Sequence, residues 1–259
     1  MKTRLKRISV VRREKGSTIE RVLQMLAFIA QHDGQYDRQQ LASAMGLPEL
    51  ATGKLLTQLN ELGMISENLL RKVVAGPQLQ QVALAVLRND VFARQRLNVL
   101  EALANEIGET CGISIPSGID MLYLEKVQTN WPLQINLPEG SRVPLAATAS
   151  GKLYLATLPQ SARRVIMDNL ALEVFTQQTL VDKTALAQEL DAIAQLGYGR
   201  DNGEFIDGMV AVSVPIHCGE HLFGYLFCHC PQVRHSLEAL EVYLPQLRRA
   251  AAEIGALMQ

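Results

Sequence analysis

The chain has 259 residues, of which 48% are apolar, 20% charged and 5% aromatic, with a formal net charge of -1. Its length exceeds the usual single domain and its apolar share supplies a real core, so two domains are expected. The near-zero net charge excludes a globally basic nucleic-acid binder and leaves room only for a local basic surface. Residues 1–75 carry twelve Lys/Arg against seven Asp/Glu, and residues 76–259 thirteen against nineteen, giving +5 and -6 for the two parts. Seven of those cations, including Arg12, Arg13 and Lys15, sit in an arm over residues 1–16 that is expected to be disordered in isolation. Ile8 to Val11 is too short for the apolar stretch of a signal peptide, and no apolar run approaches the roughly 20 residues of a membrane span. Four Cys are too sparse for a disulfide scaffold, so a soluble cytoplasmic protein with reduced thiols is expected.

In chain order, Ser17 and Glu20 have capping-box spacing, and the apolar repeat from Ile19 to Ile29 predicts a helix to about His32. Asp37 and Gln40 repeat the capping pattern for a second helix, closed by Gly46, and Pro48 opens a third. That third helix is expected to pack Leu55, Leu56, Leu59 and Leu62 inward and to turn Leu50, Gly53, Lys54, Thr57, Asn60 and Glu61 mostly outward. Met64 to Val74, with Arg71-Lys72, reads as a small wing. Three short helices with a tight turn before the third match a helix-turn-helix. Residues 78–88 form an amphipathic helix suited to a linker, and Val91 to Ile107 continues helically. Strands are then expected at Ile113–Ile115, Met121–Val127, Leu133–Leu137, Met209–His217 and Leu222–Cys230, the last two joined by a Cys218-Gly219-Glu220 turn. Helices are expected at Ala149–Leu158, Ser161–Leu170, Ala185–Leu196, the last of these closed by Gly197, and Leu237–Met258. The second part is therefore α+β, a largely antiparallel sheet flanked by helices.

The order of these elements, with GETCGISI (108–115), GSRVPLAATASGKLYLATLP (140–159) and LGYGRDNGEFIDGMVAVSVPI (196–216), resembles the IclR family of bacterial transcriptional regulators over almost the whole length. The resemblance implies a winged helix-turn-helix at 17–75, a linker helix at 76–90 and a GAF-like effector-binding and oligomerisation domain at 91–259. It implies homodimers through the DNA-binding domains, often paired into tetramers, and neither an enzyme nor a cofactor. Ligand-modulated control of an operator follows, with repression and activation both open.

On double-stranded DNA, the arm and Arg71-Lys72 would neutralise phosphates, while on the third helix Thr52 and Lys54 are contact candidates, Lys54 reaching a guanine edge or a phosphate, and Thr57, Asn60 and Gln58 would meet the backbone. Relatives commonly begin this helix with Ser/Thr and place an Arg before the paired Leu. Here Leu50, Ala51, Thr52 and Lys54 stand in those places, which puts base specificity in question. The rival reading is a third core helix with a solvated outer face, leaving a metabolite-binding or oligomerisation module with weak or lost DNA binding.

For the effector, a helix starting near Ala149, Ser150 and Gly151 offers free backbone N–H groups and a positive dipole end to an anion. Lys152, one turn in, reads equally well as a surface residue. By resemblance, relatives that bind small keto acids add an Asp, a Cys and two Ser. Asp201 matches the first, and Ala211, Phe227 and His229 fall at the others. Three small polar groups are thus replaced by a methyl, a benzene ring and an imidazole, so the expected ligand is a carboxylic acid with an apolar or aromatic body. The rival is Phe227 filling the pocket. Leu133, Leu145 and Leu153 are candidate walls or plain core. Cys228-His229-Cys230 suggests zinc, but alternate strand residues face opposite sides, and no metal is expected. Asp201 and Glu204 are three apart, but Gly199 and Gly203 mark a turn there, and no partner for catalysis is identifiable.

Overall fold

The computed structural model describes residues 17–258 apart from 33, 69 and 90, and the chain divides into two compact units at Ala85/Val86. Arg12, Arg13 and Lys15 of the arm lie outside the described residues.

The first unit opens with α1 (Thr18–Gln31), whose N-cap Ser17 accepts from the Glu20 N–H. At the start of α2 (Arg38–Met45), Asp37 accepts from the Gln40 N–H at 2.9 Å while the Gln40 side chain accepts from the Asp37 N–H at 3.2 Å. Two donors that the first turn cannot satisfy are thus paired reciprocally. Gly46 then reverses the chain at φ 65, a left-handed conformation that only glycine adopts without strain. α3 (Glu49–Glu61) follows, with Pro48 as its N-cap rather than its first residue. β1 (Ile65–Glu67) and β2 (Val73–Ala75) form an antiparallel hairpin. Met25, Ile29, Leu41, Leu56, Leu59, Ile65 and Val73 make the core.

α3 departs from its expected inner face. Thr52 is 2% exposed and lines the core with Leu56 and Leu59, Leu55 is half-buried, and Leu62 is 66% exposed. At 100° per residue, Thr52, Leu56 and Leu59 share one stripe, and Leu62, the C-cap, lies about 90° round from it.

α4 (Pro77–Asn89) spans the point of division and α5 (Val91–Ile107) follows. The second unit is built on a six-stranded antiparallel sheet in the order β5-β4-β3-β8-β7-β6, with β3 Thr110–Ser117, β4 Asp120–Val127, β5 Arg142–Pro144, β6 Gly199–Asn202, β7 Met209–Cys218 and β8 His221–Pro231. α6 (Ala149–Thr157), α7 (Gln160–Asn169) and α8 (Lys183–Leu196) bury Leu153, Leu155, Met167, Leu186, Leu190 and Ile193 with Tyr123, Tyr225 and Phe227 of the sheet. The alternate residues of β8, Leu226, Cys228 and Cys230, are buried too. They face the other side, which α5 and α10 (Leu244–Leu257) cover. Arg96 of α5 grips Glu125 of β4 there, with Nη2 2.6 Å from Oε1.

Three expectations need correction. Leu133–Leu137 is irregular, because Pro132 and Pro138 bracket it and the edge of β4 is paired with β5 instead. The last helix is two, α9 (Leu237–Glu241) and α10, because Pro245 cannot donate within a continuous helix. The Gly-Arg-Asp-Asn run of β6, without apolar alternation, is an edge strand that owes its pairing to β7.

α10 lies close on the sheet, since a Cβ on Gly255 would fall 2.0 Å from the His217 carbonyl oxygen. Gly255→Ala should therefore cost the second unit about 2 kcal/mol or more in urea unfolding. A variant as stable as the parent would mean that the helix stands farther off.

Candidate functional site

In an antiparallel sheet directly opposed residues point to the same face. Asp201, Ala211, His229 and Thr110 are successive partners across β6, β7, β8 and β3. Asp201 and His229 are thus two strand spacings apart, about 10 Å between Cα atoms, with only the Ala211 methyl between them. Asp201 is 0% exposed and His229 2% exposed. Asp201 Oδ1 accepts from the Glu204 N–H at 2.7 Å, whereas Asp201 Oδ2, Glu204 Oε2 and both His229 ring nitrogens have no hydrogen-bond partner. Buried polar atoms are rarely left so, and this row is the strongest sign of a ligand site among the described residues.

The next row places Phe227 between Ser213 and Gly112. A Cβ on Gly112 would meet Phe227 Cζ at 2.5 Å, so the ring lies over β3. It stacks on Tyr123 at 4.4 Å between centroids and on His229 at 5.7 Å. Phe227 therefore leans away from Ala211 and Asp201, and the three rings form an aromatic wall instead of a plug over the whole row.

The first turn of α6 rests on β6, where a Cβ on Gly199 would fall 2.0 Å from the Ala149 carbonyl oxygen. Ala149, Ser150 and Gly151 are buried there, but the Gly151 N–H donates to Thr148 Oγ1 at 3.2 Å. That donor is already used, which corrects the expectation that it is free for a ligand. Lys152 is also corrected: it is 0% exposed, its Nζ donates to Glu204 Oε1, and it lies 3.7 Å from Glu189 Oε1. Arg200 holds Glu189 from the other side with two 2.9 Å hydrogen bonds. Leu145 and Leu153 are core beside Phe227, while Leu133 is 58% exposed and walls nothing.

Burial, and then the charge of Glu204, push the Asp201 carboxyl up to about 7 against the pull of Lys152. Burial, helped by Lys126 and Arg234, pushes the His229 imidazole down to about 4. The site thus holds a neutral imidazole and a carboxyl that titrates near neutrality. Cys228 pairs with Cys111 on the opposite face of the sheet from His229, so the three residues 228–230 do not converge.

In the first unit, Lys54, Thr57 and Gln58 are exposed on the outer face of α3, and Arg71 is exposed in the hairpin turn. Arg71 is the one non-glycine at positive φ among the described residues, at φ 56, held there by Asn68 Oδ1 accepting from the N–H groups of Leu70 and Lys72. One expected contact fails, since Thr52 is in the core. Lys72 Nζ donates to Gln40 Oε1 at 2.7 Å and lies 3.4 Å from Asp37 Oδ2, tying the hairpin to α2.

Residues 83–256 match the family model described as bacterial transcriptional regulator IclR, C-terminal. The probable transcriptional regulator SauR of Cupriavidus necator is 34% identical over 236 residues, covering 90% of this chain and 94% of its own. The chain belongs to the IclR family of bacterial transcriptional regulators. Its IclR-family fold recurs in the crystal structure of Thermotoga maritima IclR, with a TM-score of 0.61 and 24% identity over 93% of this chain and 98% of that one. An IclR homologue from Microbacterium hydrocarbonoxydans, complexed with 4-hydroxybenzoate, has a TM-score of 0.58 and 20% identity over 93% of this chain and 98% of that one. These relatives are regulators and not enzymes.

Two residues of this IclR-family chain escaped sequence reasoning. Lys152 showed only as a cation one turn into a helix, and its burial depends on Glu204, 52 residues away. Arg38 contacts Thr57 of α3, 19 residues on, and Glu67 of β1, 29 residues on. Neither spacing leaves a local signal.

Proposed function

We propose that this is a DNA-binding transcriptional regulator in which a small aromatic carboxylic acid, held on the inner face of the sheet, sets operator affinity. In this reading residues 17–75 are a winged helix-turn-helix, residues 76–90 the linker helix, and residues 91–259 a GAF-like effector and oligomerisation domain in a cytoplasmic protein. The observation that carries the effector half is the Asp201–Ala211–His229 row, with buried polar atoms lacking partners beside an aromatic wall. The ligand's ring would lie against Phe227 and His229, and its carboxylate would share a proton with Asp201 near the start of α6. The 4-hydroxybenzoate bound by the Microbacterium homologue supports that ligand class.

On the DNA side, α3 would enter the major groove with Lys54 and Gln58 outward, Thr57 near the backbone and Arg71 on the hairpin at phosphate. Exposed Ile19 and Leu23 on α1, and Val82 and Val86 on α4, sit four residues apart as apolar stripes that a second copy would cover in a homodimer. A second reading, an effector module with weak DNA binding, draws on Glu49 and Glu61, which share the α3 face with Lys54.

Thermal-shift screening against aromatic, sugar and keto acids tests the effector half, since a ligand at about 100 times its Kd adds about 2.7 kcal/mol to the native state. An aromatic acid should stabilise the protein and change its affinity for a labelled duplex from the region upstream of its own gene. Stabilisation without any DNA binding at low salt would favour the second reading; no stabilisation by any aromatic acid would overturn the effector assignment.

A further inference from the structure

Arg38, the first residue of α2, lies between α3 and the β1–β2 hairpin. Its Nε donates to Glu67 Oε1 at 2.5 Å and its Nη1 to Thr57 Oγ1 at 3.4 Å. The Thr57 hydroxyl donates to the Gly53 carbonyl at 3.0 Å, which turns a lone pair towards the guanidinium and fixes it against the outward face of α3. Arg38 lines one open recess with Leu50, Gly53, Lys54, Thr57 and Gln58. The side chains of Arg38 and Glu67 are 38% and 36% exposed, so this ion pair adds little stability, and nothing in the packing requires a carboxylate at Glu67.

We infer that Arg38 is a DNA-phosphate contact and that Glu67 is its internal competitor, a carboxylate occupying the place a phosphate oxygen would take and thereby restraining affinity for DNA of any sequence. The inference rests on the DNA-binding reading of α3. The chemistry favours it: a guanidinium presents a planar fork suited equally to carboxylate and phosphate, and Arg38 is already oriented by Thr57. Docking a duplex beside Glu67 brings two anions together, so Arg38 must be shared or surrendered before it neutralises a phosphate. While Glu67 remains, Arg38 contributes little to the release of counterions that drives binding.

The test uses the full-length chain and a 30-base-pair duplex of arbitrary sequence, followed by fluorescence anisotropy from 50 to 200 mM KCl. Glu67→Gln should tighten binding about three- to tenfold at low salt and steepen the log–log salt slope by about one per bound subunit. Arg38→Ala should weaken binding, because it leaves the Glu67 carboxylate unpaired beside the duplex, with little change in the slope. In the Arg38→Ala background, Glu67→Gln should recover only a fraction of its effect, since the group it restrains is gone. Both positions are exposed, and unchanged far-UV circular dichroism establishes that the variants fold. Unaltered affinity and slope in Glu67→Gln, or an equal gain with and without Arg38, would overturn the inference while leaving DNA binding intact. No binding by the parent chain or any variant at 50 mM KCl would overturn the DNA-binding reading itself, and this inference with it.

Discussion

Lys152→Ala should destabilise the second unit by roughly 3–5 kcal/mol, the range found when one partner of a buried ion pair is removed. Lys152 Nζ is the only side-chain hydrogen-bond partner of the Glu204 carboxylate among the described residues, and Glu204 is itself buried with Oε2 already unpaired. Glu189 is better protected, because Arg200 still holds both of its oxygens. The cost therefore falls on Glu204, whose carboxyl burial already pushes up and Lys152 pulls down. Without the lysine it rises further, and the folded variant gains a proton that the unfolded chain binds less tightly. Stability lost at pH 8 should then be partly regained at pH 5.5. The double variant Lys152→Met, Glu204→Gln should recover most of the loss at pH 5.5, where Asp201 is protonated, and less of it at pH 8, where the buried Asp201 carboxylate has lost the pull of Lys152. Trp131 is the sole tryptophan and lies in the second unit, with Arg234 5.4 Å over its ring, so urea unfolding followed by its fluorescence reads this unit alone. A loss under about 1 kcal/mol, or one that does not vary with pH, would show that solvent reaches Glu204 in the folded protein.

This network also shows what the sequence revealed and what it hid. Elements fixed by local chemistry were legible: the Asp37–Gln40 capping box, the Gly46 and Gly197 left-handed caps, and the β7–β8 hairpin around Gly219 all stand where residue types placed them. Each depends on contacts within a few residues, which a linear pattern carries. Elements decided by distant partners were not legible. β6 carries Asp201 in a strand rather than a turn because β7 offers it a ladder, and its polar sequence gives no sign of this. Thr52 is a DNA-contact candidate by its place near the start of the helix, yet its position on the Leu56–Leu59 stripe puts it inside. At the effector site, resemblance supplied the positions Asp201, Ala211, Phe227 and His229, and the register places all four on one face of the sheet. The direction of the Phe227 ring was not readable, because it depends on Gly112, a β3 residue whose lack of a side chain gives the ring room.

An aromatic carboxylate should bind in a pH-dependent manner, with Asp201 as the cause. For 4-hydroxybenzoate, or the best aromatic acid of the screen, Kd should be about tenfold or more weaker at pH 8.5 than at pH 6.5. The free protein holds the Asp201 proton up to about pH 7. A ligand carboxylate beside it raises that carboxyl further, since two anions in a dry site cannot both stay charged. Binding above pH 7 must therefore take up a proton, and affinity falls by up to about tenfold for each further pH unit. Glu204 and Lys152 also face Asp201, but they form a pair with each other. Tyr123, which burial and the Asp201 charge push upward, stays protonated throughout, and His229, lowered to about 4, stays neutral. Stability alone would not isolate the effect. The raised Asp201 carboxyl contributes stability present below its unfolded value near 4 and lost as pH rises to about 7, whereas the lowered His229 contributes the opposite trend between about 4 and 6.5. Calorimetry in two buffers of different ionisation enthalpy measures the proton count directly, and uptake approaching one should appear at pH 8.5. Asp201→Asn keeps a hydrogen-bond donor for the ligand but has nothing to titrate, so its affinity should be level from pH 6.5 to 8.5. A level profile in the parent protein, or one as steep in Asp201→Asn, would place the ligand's acid group away from Asp201.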